Sequence, residues 1–125
     1  MKKQAIISIV DDDAAFREST KQLVRSLGHE SHAFASGEEF LASTKRLGTD
    51  CLILDMQMPG MSGVELQSHL NSLGMELPVI FIAAAAEPAG RARALAAGAI
   101  AFLDKPYSDE SLISSLDKAL SCNHL

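Results

Sequence analysis

The chain predicts an α/β fold, one domain with five strands in a mostly parallel sheet and helices on both faces. Three observations lead there. Short β-branched apolar runs alternate with segments whose apolar residues recur at helical spacing. Most of the strand-length runs are apolar at successive rather than alternate positions, which suits strands buried on both faces. Gly or Pro marks many of the changes of pattern. The length, 125 residues, is right for one domain with a real core.

The first strand is Ala5-Ile6-Ile7-Ser8-Ile9-Val10, and it stops at Asp11-Asp12-Asp13. Asp13 is placed to cap the following helix or to lie in its first turn. Phe16, Thr20, Leu23, Val24 and Leu27 mark that helix, and Gly28 stops it. His29 to Phe34 forms a weaker second strand. Ser36-Gly37-Glu38-Glu39 reads as a capping box opening a second helix, with Phe40 and Leu41 facing inward. Cys51-Leu52-Ile53-Leu54 is the third strand, ending at Asp55. The loop Met56 to Gly63 leads to a helix carrying Val64, Leu66, Leu70 and Leu73, stopped by Gly74. Pro78 introduces the fourth strand, Val79-Ile80-Phe81-Ile82, which Ala83 follows. Pro88 fits the first turn of a fourth helix, where a missing N–H costs nothing, and Gly98 ends it. Ile100 to Leu103 is the fifth strand, ending at Asp104-Lys105-Pro106. Ser108 can cap the fifth helix, whose apolar stripe is Leu112, Ile113, Leu116 and Leu120.

Composition removes several function classes. Sixteen acids against 11 bases give a net charge of −5, which argues against a nucleic-acid-binding module, since phosphate demands a basic face. No apolar run reaches membrane-spanning length, and Met1-Lys2-Lys3-Gln4 does not open a secretory leader, so a cytoplasmic protein is expected. Cys51 and Cys122 have neither metal-like spacing nor the density of a disulfide framework. Cys51 falls in a core strand, where a thiol is inert, and Cys122 near the chain end. His29, His32, His69 and His124 are scattered, without metal spacing, and suit surface or strand-edge roles. Met56, Met58 and Met61 suit gap-filling. Arg91 and Arg93 make the fourth helix basic at its start, as a solvated face or an interface would be.

In an open parallel sheet, ligands bind where the strands end. Strand one delivers Asp11 and Asp12 there, strand three Asp55 and strand five Lys105. If strands one and three are neighbours, three carboxylates meet. Each like-charge pair at about 4 Å costs roughly 4 kcal/mol at an effective dielectric near 20. Such a cluster must take up protons or a cation. An all-oxygen site favours a hard cation, and Mg²⁺ fits best. A carboxylate beside Mg²⁺ and a lysine can attack phosphorus and become an aspartyl phosphate, with the cations stabilising the spreading charge. Acids after a strand also simply cap helices. That plainer reading suits Asp13, but not Asp11, Asp12, Asp55 and Lys105 together.

Four stretches, taken in order and spacing, resemble a bacterial response-regulator receiver domain from about Ile6 to Leu120. They are Val10-Asp11-Asp12-Asp13, Leu54-Asp55-Met56-Gln57-Met58-Pro59-Gly60-Met61-Ser62-Gly63, Ala97-Gly98-Ala99 and Lys105-Pro106. Met58 to Leu66 further resembles the subgroup whose receivers precede a helix-turn-helix transcription domain. The resemblance implies a flavodoxin-like, doubly wound (βα)5 domain with strand order 2-1-3-4-5, spanning residues 1–125. It implies Asp55 as phosphoacceptor, Asp12 as a direct Mg²⁺ ligand, Asp11 as a ligand largely through water, and the Gln57 backbone carbonyl as another. The Gln57 side chain would face the phosphoryl group. Lys105 would pair with that group, and its bond to Pro106 would be cis. Phe102 occupies the switch-aromatic position, though core packing explains it equally well. A sensor histidine kinase is the implied partner, with homodimerisation on phosphorylation through helix four, strand five and helix five. DNA would be reached only through an output domain lying outside these residues. The protein would be a phosphoacceptor and not a turnover enzyme.

One position departs from the pattern. Receivers place Thr or Ser directly after strand four, and its hydroxyl reaches the phosphoryl oxygen. Here that residue is Ala83, opening the run Ala83-Ala84-Ala85-Ala86. Ala84 matches the small residue that leaves room for phosphoryl entry. A lost charge-assisted hydrogen bond is worth about 1.5–3 kcal/mol, comparable with allosteric couplings of roughly 1–3 kcal/mol. Phosphorylation would survive while the response weakens. Ala83 also supports an alternative, a receiver-like interaction module that works without phosphorylation. A hydrolase with an aspartyl-phosphate intermediate fits less well, because Gln57 stands where its acid/base Asp would be. A flavin site would need a Ser/Thr-rich first loop, which is missing.

Overall fold

Successive strands in the structure, a computed structural model describing residues 4–83, 88–96 and 98–121, are separated by helices. The elements are β1 (Ile6–Val10), α1 (Ala14–Ser26), β2 (Glu30–Phe34), α2 (Gly37–Ala42), a 3-10 turn (Thr44–Gly48), β3 (Cys51–Asp55), α3 (Gly63–Ser72), β4 (Val79–Ala83), α4 (Pro88–Ala96), β5 (Ala101–Asp104) and α5 (Asp109–Ser121). The sheet is all parallel, in the order β2-β1-β3-β4-β5, as expected.

The central strands bury both faces. In β3, Leu52 and Leu54 pack with Phe40, Leu66, Leu70 and Phe81 on one side of the sheet. Cys51 and Ile53 pack with Ile7, Ile9, Val24, Leu112 and Leu116 on the other. The first side is covered by α2, α3 and α4, the second by α1 and α5. The consecutive apolar residues of the strand runs follow from this arrangement. Met56 and Met58 fill the first side beneath the loop after β3, as expected of gap-filling thioethers. Among the described residues, no helix is long and apolar enough to cross a membrane.

Most helix boundaries follow the predicted chemistry. Asp13 caps α1, accepting from the Ala15 and Phe16 amides. Ser108 accepts from the Ser111 amide at 3.1 Å, capping α5. Gly28, Gly74 and Gly98 close α1, α3 and α4 with positive φ. The predicted box at Ser36 is one-sided. Ser36 accepts from the Glu39 amide, but the Glu39 carboxylate reaches back to the Ala35 amide at 3.4 Å. The reciprocal box is at Ser62 and Glu65, opening α3. The same bonds to Ser62 hold the Glu65 carboxyl below its ordinary range.

Several details differ from the sequence reading. Ala83 is the last residue of β4 rather than the residue after it, and β5 takes in Asp104 because Ala83 and Asp104 pair in register. The buried residues of α5 are Leu112, Ser115, Leu116 and Ala119, while Ile113 is only half-buried. Ser115 sits there at low cost because its hydroxyl donates to the Ser111 carbonyl at 2.9 Å. Leu73 caps α3 and is exposed. The 3-10 turn after α2 has no strong periodic signal to announce it.

Candidate functional site

Register brings the acids together. β1 and β3 are neighbours with Val10 opposite Leu54, so Asp11 and Asp55 leave the sheet side by side. Carboxylate oxygens of Asp11, Asp12 and Asp55 lie within 4.8 Å of one another. Asp11 and Asp55 are 2% and 6% exposed, whereas Asp12 is open to solvent. The two buried carboxylates are held alike. Asp11 Oδ1 accepts from the Asp13 amide at 2.9 Å, and Asp55 Oδ1 from the Gln57 amide at 3.2 Å. This i-to-i+2 bonding leaves both Oδ2 atoms facing the pocket. The Arg17 guanidinium fixes the Asp11 carbonyl at 2.7 Å.

Lys105 comes from the edge strand. Its amide donates to the Ala83 carbonyl at 2.8 Å, and the Lys105–Pro106 bond is cis. Its Nζ lies 2.9 Å from Asp11 Oδ2 and 3.5 Å from Asp55 Oδ2. The ammonium therefore stands closer to Asp11 than to Asp55. Burial pushes the Asp55 carboxyl up to about 7, the Asp11 charge adds to this, and the Gln57 amide and Lys105 oppose it. Burial also works against the Lys105 cation, but Asp11 and Asp55 outweigh it and leave its pKa raised.

This donor set fits a hard divalent cation. All the ligand atoms are oxygens, and of the three clustered carboxylates the two buried ones share one ammonium. Asp11 Oδ2 is buried and is met by the Lys105 ammonium at 2.9 Å. A single ammonium leaves the cluster with excess negative charge, which a cation would offset. The Gln57 amide turns back onto Asp55, while its side chain is exposed.

The loop after Asp55 closes against the strand through Gly63. A Cβ at Gly63 would lie 2.3 Å from the Asp55 carbonyl oxygen and 3.0 Å from Met56 Cα. The Gly63 amide donates to the Met56 carbonyl at 3.0 Å. Only glycine allows this approach. The sequence reading placed Gly63 at the end of the loop without seeing this requirement.

Other predicted residues fall as follows. Ala83, 4% exposed at the end of β4, offers no hydroxyl. Ala84, Ala97, Cys122 and His124 lie outside the described residues. Phe102 is in the core at 9% exposure, and the Arg91 guanidinium stacks 4.9 Å from its ring centre. Arg91 also pairs with Asp104 at 2.9 Å, so it is engaged and not merely a solvated face. His29 is buried at the edge of β2, where Nδ1 accepts from the Ala5 amide at 3.1 Å. Burial, with help from Asp50, pushes the Cys51 thiol up to about 12. The sequence reading missed Phe16 and Tyr107. The Phe16 ring lies beneath Lys105 Nζ at 4.3 Å, and Tyr107 packs edge-on against Phe16.

Comparison with known proteins agrees with this geometry. The family described as "Response regulator receiver domain" matches residues 7–117. "Response regulator protein TmoT" of Ectopseudomonas mendocina is 41% identical over 118 residues, covering 94% of this chain and 54% of that protein. "Transcriptional regulatory protein TdiR" of Thauera aromatica is 34% identical over 117 residues, covering 94% and 52%. The chain thus spans about half the length of the curated relatives it matches. The crystal structure of FixJ-N superposes with a TM-score of 0.88 at 31% identity, covering 99% of this chain and 98% of that one.

Proposed function

The chain belongs to the response regulator receiver domain family, and from that premise we propose that it is a Mg²⁺-dependent phosphoryl-accepting switch with Asp55 as the acceptor. The supporting observation is the convergence of Asp11, Asp12, Asp55 and Lys105 at one strand-end pocket. Asp11, Asp12, Asp55 and the Gln57 carbonyl would hold the cation, which when bound supplies charge neutralisation for phosphoryl oxygens. An Asp55 carboxylate oxygen attacks the phosphorus of a phosphohistidine on a sensor kinase. The new O–P bond forms as the P–N bond breaks, and the imidazole leaves with a proton from solvent. Lys105 favours the charged form of Asp55 before transfer and meets phosphoryl charge as it develops. Gln57 provides no acid or base for rapid turnover, so the phosphoryl group is held and only slowly lost. The chain acts as a switch and not as a turnover enzyme.

Relatives that are transcriptional regulatory proteins support a transcriptional output, reached through a domain outside these residues. In this reading the protein is cytoplasmic and pairs with a second copy through α4, β5 and α5 when phosphorylated. Incubation with a small phosphodonor and Mg²⁺ tests the chemistry. Acid-labile phosphate should appear in the wild type and be absent in Asp55→Asn. Uptake at full level by that variant contradicts the assignment.

Ala83 favours a second reading, an interaction module that works without phosphorylation. With no hydroxyl at the end of β4, phosphorylation has one fewer handle on the fold. A Mg²⁺ titration followed by NMR separates the two. Saturable binding at millimolar concentrations supports the switch, and absence of binding supports the module.

A further inference from the structure

The cationic end of Lys105 has contacts on two sides. Asp11 and Asp55 lie at 2.9 and 3.5 Å, and the Phe16 ring face lies 4.3 Å from Nζ to its centre. An ammonium over an aromatic face is attracted by the ring quadrupole, most strongly where water is scarce. The Lys105 side chain is only 15% exposed. Lysine is also a flexible four-carbon stem carrying a point charge, so its placement depends on what surrounds it.

Phe16 is itself held in orientation. Its ring meets Tyr107 edge-on, with centres 5.2 Å apart and planes at 89°. The Tyr107 hydroxyl is hydrogen-bonded to Thr20, one turn after Phe16 on the same helix. Tyr107 follows Lys105 by two residues. Phe16, Tyr107 and Thr20 thus form a closed circuit between α1 and the segment carrying the lysine. A leucine at position 16 would fill similar space but offer the ammonium no ring face.

We propose that Phe16 is a positioning residue for Lys105, its ring fixing the ammonium against the Asp11–Asp55 pair where phosphoryl charge develops. This rests on the phosphoryl-transfer reading above. Two carboxylates alone would let the lysine follow whichever is nearer or more charged. The ring restricts it to a position that serves both. Preorganised charge acts on the chemical step and not on donor capture.

The test uses the full chain and its variants Phe16→Leu, Phe16→Tyr, Lys105→Met and Phe16→Leu/Lys105→Met. Phosphorylation by acetyl phosphate is followed at several donor concentrations, with urea unfolding to confirm that each variant is folded. Phe16→Leu should lower the maximal rate about three- to tenfold, with little change in half-saturation. Phe16→Tyr should recover most of the loss, and Phe16→Leu should add nothing when Lys105 is already Met. An unchanged rate in Phe16→Leu overturns the proposal, as does an equal loss with and without Lys105. If the wild type takes up no phosphate, the phosphoryl-transfer reading fails first. The urea double-mutant cycle then decides the pairing, which is overturned if the two substitutions are additive.

Discussion

Asp55 carries the most testable electrostatics of any single residue. Burial and the neighbouring Asp11 charge raise its pKa from 3.8 to about 7. The folded state therefore binds this proton more tightly than the unfolded chain. That contribution is fully present below about pH 4 and is lost as pH rises through about 7. At pH 8 with a chelator, Asp55→Asn should be more stable than the wild type by about 1–2 kcal/mol. The gap should close near pH 4. Urea unfolding at the two pH values checks this, and a variant less stable at pH 8 contradicts it. Cys51, with its thiol pushed up to about 12, should resist alkylation in the folded protein and react on unfolding. At Ala83, Ala83→Thr introduces a hydroxyl beside the pocket and, in the proposed switch, should strengthen phosphorylation-dependent dimerisation, read by light scattering. The acids and Lys105 were legible in the sequence because each ends an apolar run. Phe16 was not, because a phenylalanine at helical spacing looks like core until the neighbouring strand is in place.

Individual elements fix how tightly the pocket closes. α3 begins against the backbone of Asp55, and Gly63 is the point of contact. Gly63→Ala must move the loop or the helix, because the obstacle is backbone and cannot turn aside. It should cost about 2 kcal/mol or more and weaken Mg²⁺ binding, measured by thermal unfolding and by titration. Ser62→Ala breaks the capping box of the same helix and should cost about 1 kcal/mol while leaving Mg²⁺ binding nearly unchanged. The contrast separates loss of helix stability from loss of loop geometry. Strand identities were readable from their consecutive apolar residues. Boundaries were less so. Ala83 and Asp104 join their strands through register with each other, which no local signal at either position reveals. The α5 face shifted for a related reason, since Ser115 meets its own hydrogen-bonding need within the helix and can be buried.

At the scale of the whole molecule, the sheet order gathers distant residues into one pocket. Asp11 and Asp55 end adjacent strands, and Lys105 reaches them from beyond β4, itself next to β3. The sequence supplied the residues and their order, but not the fine geometry. The lysine stands nearer Asp11, the Phe16 ring lies beneath it, and Arg91 is engaged with both Asp104 and Phe102. Those facts depend on long-range packing. The central claim is that this pocket delivers a phosphoryl group to Asp55 in the presence of Mg²⁺. Borohydride trapping tests it most directly, because reduction of an aspartyl phosphate leaves homoserine at the modified position. After treatment with acetyl phosphate and Mg²⁺, peptide mass spectrometry should find homoserine at position 55, and not when a chelator replaces Mg²⁺. Homoserine at another aspartate, or at none, contradicts the account.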